Sequence, residues 1–142
     1  MPIYSAARRT TNVTSGASSH ALTTAAGDRA ALLETGIFMA AATASVYSLG
    51  RPAALGVTPT SPVLLLAEDP ANPVGTTSSV LAWATSPTNP TTDMRRWASP
   101  ATIGTGVIFT FPRGIVMAVS QNIVWQNLAL NGVVDSYFVV DE

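Results

Sequence analysis

Cysteine is absent from the chain, which excludes disulfides, thiolate nucleophiles and cysteine-bound metals, and leaves stability to packing and association. Lysine is absent too, so the seven basic residues are all arginine: Arg8, Arg9, Arg29, Arg51, Arg95, Arg96 and Arg113. Charge of either sign is scarce, at 11% of residues against roughly a quarter in typical globular chains. With a net charge of -1, the basic excess or stripe of a nucleic-acid binder is missing. Long apolar runs are missing as well. The longest, Gly36 to Ala44, is broken by Thr43 and falls far short of the roughly 20 residues that cross a bilayer. The opening MPIYSAARR puts polar residues and arginines where a secretion signal carries an apolar stretch. These absences predict a protein made in the cytoplasm and soluble there, with no membrane and no nucleic acid among its partners.

What is present is a chain of 142 residues, the length of one compact domain over 1–142. Its hydrophobic fraction of 47% is ordinary, but mean hydropathy is +0.32, and Thr, Ser and Ala stand where charge usually keeps a surface solvated. Neighbouring subunits cover surfaces of that kind, so the composition predicts an oligomer.

Residues 1–18, rich in Thr, Ser and Ala, read as a short N-terminal arm, followed by a strand near Ser19 to Thr24. Gly27 to Ala44 is ambiguous. Ala30, Leu33, Ile37 and Ala41 fit helical spacing, whereas Leu33, Thr35, Ile37 and Met39 fit one face of a strand, and Gly36 weakens a helix. Ser45 to Leu49 is β-type. From Pro52 to Pro100 the prolines and glycines leave no room for long helices. Strands are predicted there at Pro62 to Ala67 and Thr77 to Thr85, with exposed loops at Glu68 to Gly75 and Ser86 to Thr92. In the last third, Val107, Phe109 and Phe111 alternate with Ile108, Thr110 and Pro112, the period of a strand. Pro112-Arg113-Gly114 reads as a chain reversal. Gly114 to Val119, Asn122 to Leu130 and Val133 to Asp141 follow as strands, separated by Ser120-Gln121 and by Asn131-Gly132, a tight-hairpin signal. Short strands with Gly, Pro and Asn between them predict an all-β fold, an antiparallel β-sandwich that is jelly-roll-like, behind the N-terminal arm.

Residues with catalytic chemistry are few. His20 is the single histidine, so histidine-based metal clusters are excluded, and Ser19 with His20 is the best nucleophile and base on offer. In a serine-rich turn without a G-x-S-x-G elbow, His20 reads as a solvated loop histidine. Glu68 with Asp69, and Asp141 with Glu142, are adjacent and so diverge on an extended chain, which makes either a weak pair for acid–base work; Glu68 and Asp69 could help hold calcium with loop carbonyls, but without a spaced Asp series they read as a solvated acidic loop. Gly104-Thr105-Gly106 lacks the rest of a phosphate loop and precedes a strand, so it reads as a turn. The expectation is no enzyme, no cofactor, no metal and no small-molecule substrate. Arginine and tryptophan are enriched at interface hot spots because both combine contact area with directional bonding. Trp83 and Trp125, within predicted strands, are assigned to the core. Arg8, Arg9, Arg95, Arg96 and Trp97 are the interface candidates.

The stretch FTFPRGIVMAVSQNIVWQNLALNGVVDSYFVVDE, with PIYSAARRTTNVT, AGDRAALLETGIFMAAATA and LGRPAALGVTPT, resembles small jelly-roll proteins found among tailed-bacteriophage structural genes. Members of that group resemble head decoration or cement proteins, which sit on the outside of an icosahedral shell and commonly associate as trimers. The resemblance implies a place on the capsid exterior, the major capsid protein and further copies of the chain as partners, a trimer as the oligomer, and no catalytic or ligand residue. It also implies that Arg29 to Ala44 is a strand pair lining the sandwich. The arm with Arg8 and Arg9 would then reach acidic shell surface. A tail, baseplate or fibre-tip module binding a host surface or glycan, with Asn72, Asn89 and Asp93 as the suggestive residues, uses the same fold and is the alternative.

Overall fold

In a computed structural model, which describes residues 2–10, 16–129 and 132–142, the chain is all-β and every strand pairing is antiparallel. The strands in chain order are β1 (Ile3–Arg9), β2 (Ser18–Thr23), β3 (Ala30–Met39), β4 (Ser45–Gly50), β5 (Val57–Thr60), β6 (Val63–Leu64), β7 (Leu66–Ala67), β8 (Ser78–Val80), β9 (Ala82–Thr85), β10 (Arg95–Ser99), β11 (Gly106–Met117), β12 (Asn122–Asn127) and β13 (Val134–Asp141). Sheet A has the order β11-β3-β13-β1-β7, sheet B the order β10-β4-β12-β2-β8-β6, and β5 pairs with β9 alone. Among the described residues no helix is long and apolar enough to cross a membrane.

The long strands follow one rule. β1, β3, β11 and β13 belong to sheet A, and β2, β4, β10 and β12 to sheet B, so each connection crosses the sandwich except the one from β4 to β10, which pair. Two sheets woven in this way are a jelly roll, as the sequence predicts. The segment 51–94 is an excursion inserted into that single same-sheet connection.

Several local expectations are corrected. Ile3–Arg9, read as part of an arm, is strand β1, paired along its whole length with β13 and burying Tyr4 in the core. Arg29 to Ala44 holds one strand, β3, rather than two. Pro112-Arg113-Gly114 does not reverse the chain: β11 stays paired with β3 on both sides, and the register shift between Thr110 and Ile115 marks a bulge. Gly114, at φ +64, supplies the left-handed residue that such a bulge needs. β12 and β13 lie in different sheets and form no hairpin; Asn131 lies outside the described residues. Pro62 to Ala67 splits at Leu65, which turns wholly into the core while β6 and β7 go to different sheets. Thr77 to Thr85 likewise splits into β8 and β9.

The core lies between the sheets, where the period of two delivers one face of each strand. Leu22, Ile123 and Trp125 from sheet B meet Leu32, Ile37, Phe138 and Val140 from sheet A. At its centre a polar chain is bonded: Trp125 Nε1 donates to Thr35 Oγ1 at 2.9 Å, and Thr35 Oγ1 donates to the Tyr137 carbonyl at 2.7 Å.

Candidate interaction surface

The two outer faces of the sandwich are unlike. The centre of sheet B, strands β4, β12 and β2, is buried on both sides, and all six residues of β12 are buried. Its outward residues Ala21, Val80 and Val124 form a second small apolar cluster, and Trp83 from the excursion packs on it. The excursion is tied down by further contacts. Gln126 Nε2 donates to the Pro87 carbonyl at 3.2 Å, Pro90 closes over Gly50, and the Ser48 hydroxyl donates to Asp93.

Sheet A has no such cover. Registered pairing places Arg9, Asp135, Phe38 and Gly106 in one outward row, and Ala7, Tyr137, Gly36 and Ile108 in the next. Ser5, Val139, Glu34 and Thr110 form a third row, and Ile3, Asp141, Ala31 and Val116 a fourth. Two glycines shape this face. A Cβ on Gly36 would collide with the Tyr137 ring and one on Gly106 with the Phe38 ring, so both aromatics lie down over the backbone of the neighbouring strand. The result is a broad, low, mostly apolar surface.

Four of its polar groups bond to one another in two pairs. Tyr137 Oη donates to Glu34 Oε1 at 2.6 Å, and burial together with that carboxylate pushes the phenol up to about 12. Arg9 grips Asp135 through two 2.6 Å hydrogen bonds, which hold the Asp135 carboxyl below its usual range.

The five interface candidates are not brought together. Arg9 lies on the open face of sheet A. Arg8 turns inward, between the sheets, and donates to the Ser79 carbonyl at 3.1 Å. On the far side of the sandwich, Arg95 lies 5.2 Å from the Phe111 ring centre and 5.9 Å from that of Phe109. Arg96 points out of sheet B and pairs with Asp93 at 3.3 Å. Trp97, expected in an intersubunit contact, faces inward and stacks on Tyr47 at 6.1 Å against the core. Trp125 is fully buried, as expected, and Trp83 is partly so.

His20 is not a solvated loop residue. It sits inside β2 with no exposed surface, its Nε2 2.7 Å from Ser79 Oγ and its Nδ1 2.8 Å from Ser136 Oγ. Burial, helped by nearby Arg8, lowers its pKa to about 3, so the imidazole is neutral at ordinary pH. Ser19, next to it on the strand, points to the opposite face, so the two cannot act as nucleophile and base. Among the described residues no group of three or more His, Asp or Glu side chains could hold a metal ion.

Sequence reasoning missed the open face itself. Its signal is in β13, where Val134, Ser136, Phe138 and Val140 form the buried side while Tyr137 and Val139 repeat apolar character on the other. No protein-family model, curated protein or solved structure matches the chain.

Proposed function

We propose that this chain is a non-enzymatic structural subunit of a virion, a decoration or cement protein on the outer face of a tailed-phage head. The observation that carries the reading is the open face of sheet A, a mostly apolar sheet surface on which Arg9 and Asp135 are paired and which the chain itself leaves uncovered. Low total charge and the exposed Ile3, Leu66, Ile108 and Val116 around it support the same reading.

The mechanism is passive. The face docks on the major capsid protein and bridges neighbouring shell subunits, burying apolar area worth about 25 cal/mol per Å² before the costs of association. A trimer of the chain presents the face several times, so weak contacts add by multivalency. Cofactor and substrate have no part in this.

The test uses heads that lack the protein. Purified chain should co-sediment with them and raise their resistance to heat, while Val139→Glu, a charge placed on the open face, should fold normally and fail to bind. Binding to tails and not to heads would replace this reading with that of a tail, baseplate or fibre-tip module.

A further inference from the structure

Within the excursion, the stretch from Gly75 to Val80 is held to the sandwich by titratable side chains at both of its ends. At the far end lies β8, a strand of three residues that pairs with β2 on one side and with the two-residue β6 on the other. Ser79 of β8 has no exposed surface and is gripped twice: its hydroxyl bonds to His20 Nε2 at 2.7 Å, and its carbonyl accepts from Arg8 at 3.1 Å. At the near end the Glu142 carboxylate accepts from the N–H of Thr76 at 2.5 Å, from the N–H of Thr77 at 3.1 Å and from the Thr76 hydroxyl. Leu65, fully buried, belongs to the same unit, because its N–H donates to the Thr77 carbonyl and its carbonyl accepts from Gly75.

Both holds weaken in acid. The His20 ring faces Arg8 from β1, Ser79 from β8, and Ser136 and Phe138 from β13, with Trp125 beside it on β12, and none of these is a carboxylate. A proton on His20 therefore puts an unpaired buried charge next to a guanidinium. Water reaches the ring when one of its covers leaves. Ser136 belongs to β13, which is paired along its length on both sides, so the cover that yields most readily is β8. Glu142 shares a hollow with Arg29 and Asp141. Burial works to raise its pKa, but the bonds from Thr76 and Thr77 overcome that and hold the carboxylate below its usual range, so protonation loosens them.

We infer that residues 63–80 form an acid-released flap: acid detaches β6, β7 and β8, with Leu65, from the sandwich as one unit while the long strands of both sheets stay paired. The flap is independent of what the open face of sheet A binds. Few ladder pairs oppose its release, since β6, β7 and β8 contain two, two and three residues. His20, kept neutral in the closed form with its pKa lowered to about 3, takes up a proton near its ordinary 6.5 once the flap is away. Closure is thus complete above that pH and is lost as pH falls, and Glu142 adds its own loss at more acid pH.

Native-state hydrogen exchange of the whole chain, followed by NMR from about pH 7 to about pH 4.5 and corrected for the intrinsic chemistry of each amide, tests this. The amides of Leu65, Gly75 and β8 should exchange through an opening that low urea barely affects, with an equilibrium constant that rises toward about tenfold per pH unit below about pH 6. Amides of β3 and β12 should exchange far more slowly, through urea-sensitive global unfolding. His20→Gln should flatten the pH dependence of the flap. Glu142→Gln, a change outside the core, should speed its opening several-fold at neutral pH and keep the His20 slope. Flap amides that share the rate and urea dependence of β12, an opening indifferent to pH, an undiminished slope in His20→Gln or an unchanged opening in Glu142→Gln would overturn the inference.

Discussion

The outer faces of sheets A and B start from the same kind of strand and end in opposite states. On sheet B the chain supplies its own cover, Trp83 and the proline-rich excursion, and the outward residues Ala21 and Val124 become core. On sheet A, Tyr137 and Phe38 fold down over glycines, and the face stays open. The difference shows where this fold completes its own packing and where it leaves apolar surface uncovered. An apolar residue on the first face stabilises the fold, and one on the second face, under the proposed function, stabilises an assembly.

The largest expected effect contrasts the two faces directly. Val124→Asp places an unpaired charge under the excursion and should cost at least about 4 kcal/mol, enough to leave the chain largely unfolded in a urea titration. The matching Val139→Asp on sheet A should lower the unfolding free energy by less than about 1 kcal/mol.

Next in size is a pH effect on the sealed side of the molecule. His20 is held neutral in the fold, with its pKa lowered to about 3, whereas an unfolded chain protonates it near its ordinary 6.5. Stability is therefore complete above pH 6.5 and lost as pH falls toward 3, with a slope approaching about 1.4 kcal/mol per pH unit. Paired urea titrations of parent and His20→Gln should show that slope in the parent and a flatter profile in the variant. Asp135 and Glu142, whose pKa values are lowered, add their own loss at more acid pH in both proteins.

Trp83→Ala should cost about 2 kcal/mol, because it strips the partly buried ring from the outside of sheet B. Faster hydrogen exchange along β12 with β1 and β13 unchanged would confine the damage to the covered side. The smallest effect belongs to the open face. Asp135→Asn removes an exposed ion pair and should change stability by about 0.2–1 kcal/mol, diminishing with salt.

The fold was readable because its signals are local. Alternation in Val107 to Phe111, the β-type Ser45 to Leu49 and the dense prolines between Pro52 and Pro100 all favour short strands over helices. What was not readable depends on partners distant in sequence. His20 looks like a loop residue until Ser79 and Ser136 arrive from other strands to satisfy both ring nitrogens. Pro112-Arg113-Gly114 has the composition of a turn, and only pairing of β3 across both flanks makes it a bulge. Arg8 and Arg9 are neighbours that point to opposite sides of one strand, so reading them as a pair failed. The open face could have been suspected from Tyr137 and Val139 alone, but its extent requires the register of β1, β3, β11 and β13.

Under the proposed function, the most direct test is a cryo-electron microscopy reconstruction of phage particles assembled with this gene intact and deleted. The expected map shows density on the head exterior that vanishes with the gene, oriented with sheet A against the shell and the β5–β9 excursion outward. Density placed on the tail, or on the head with sheet A facing solvent, would contradict the assignment of the open face as the docking surface.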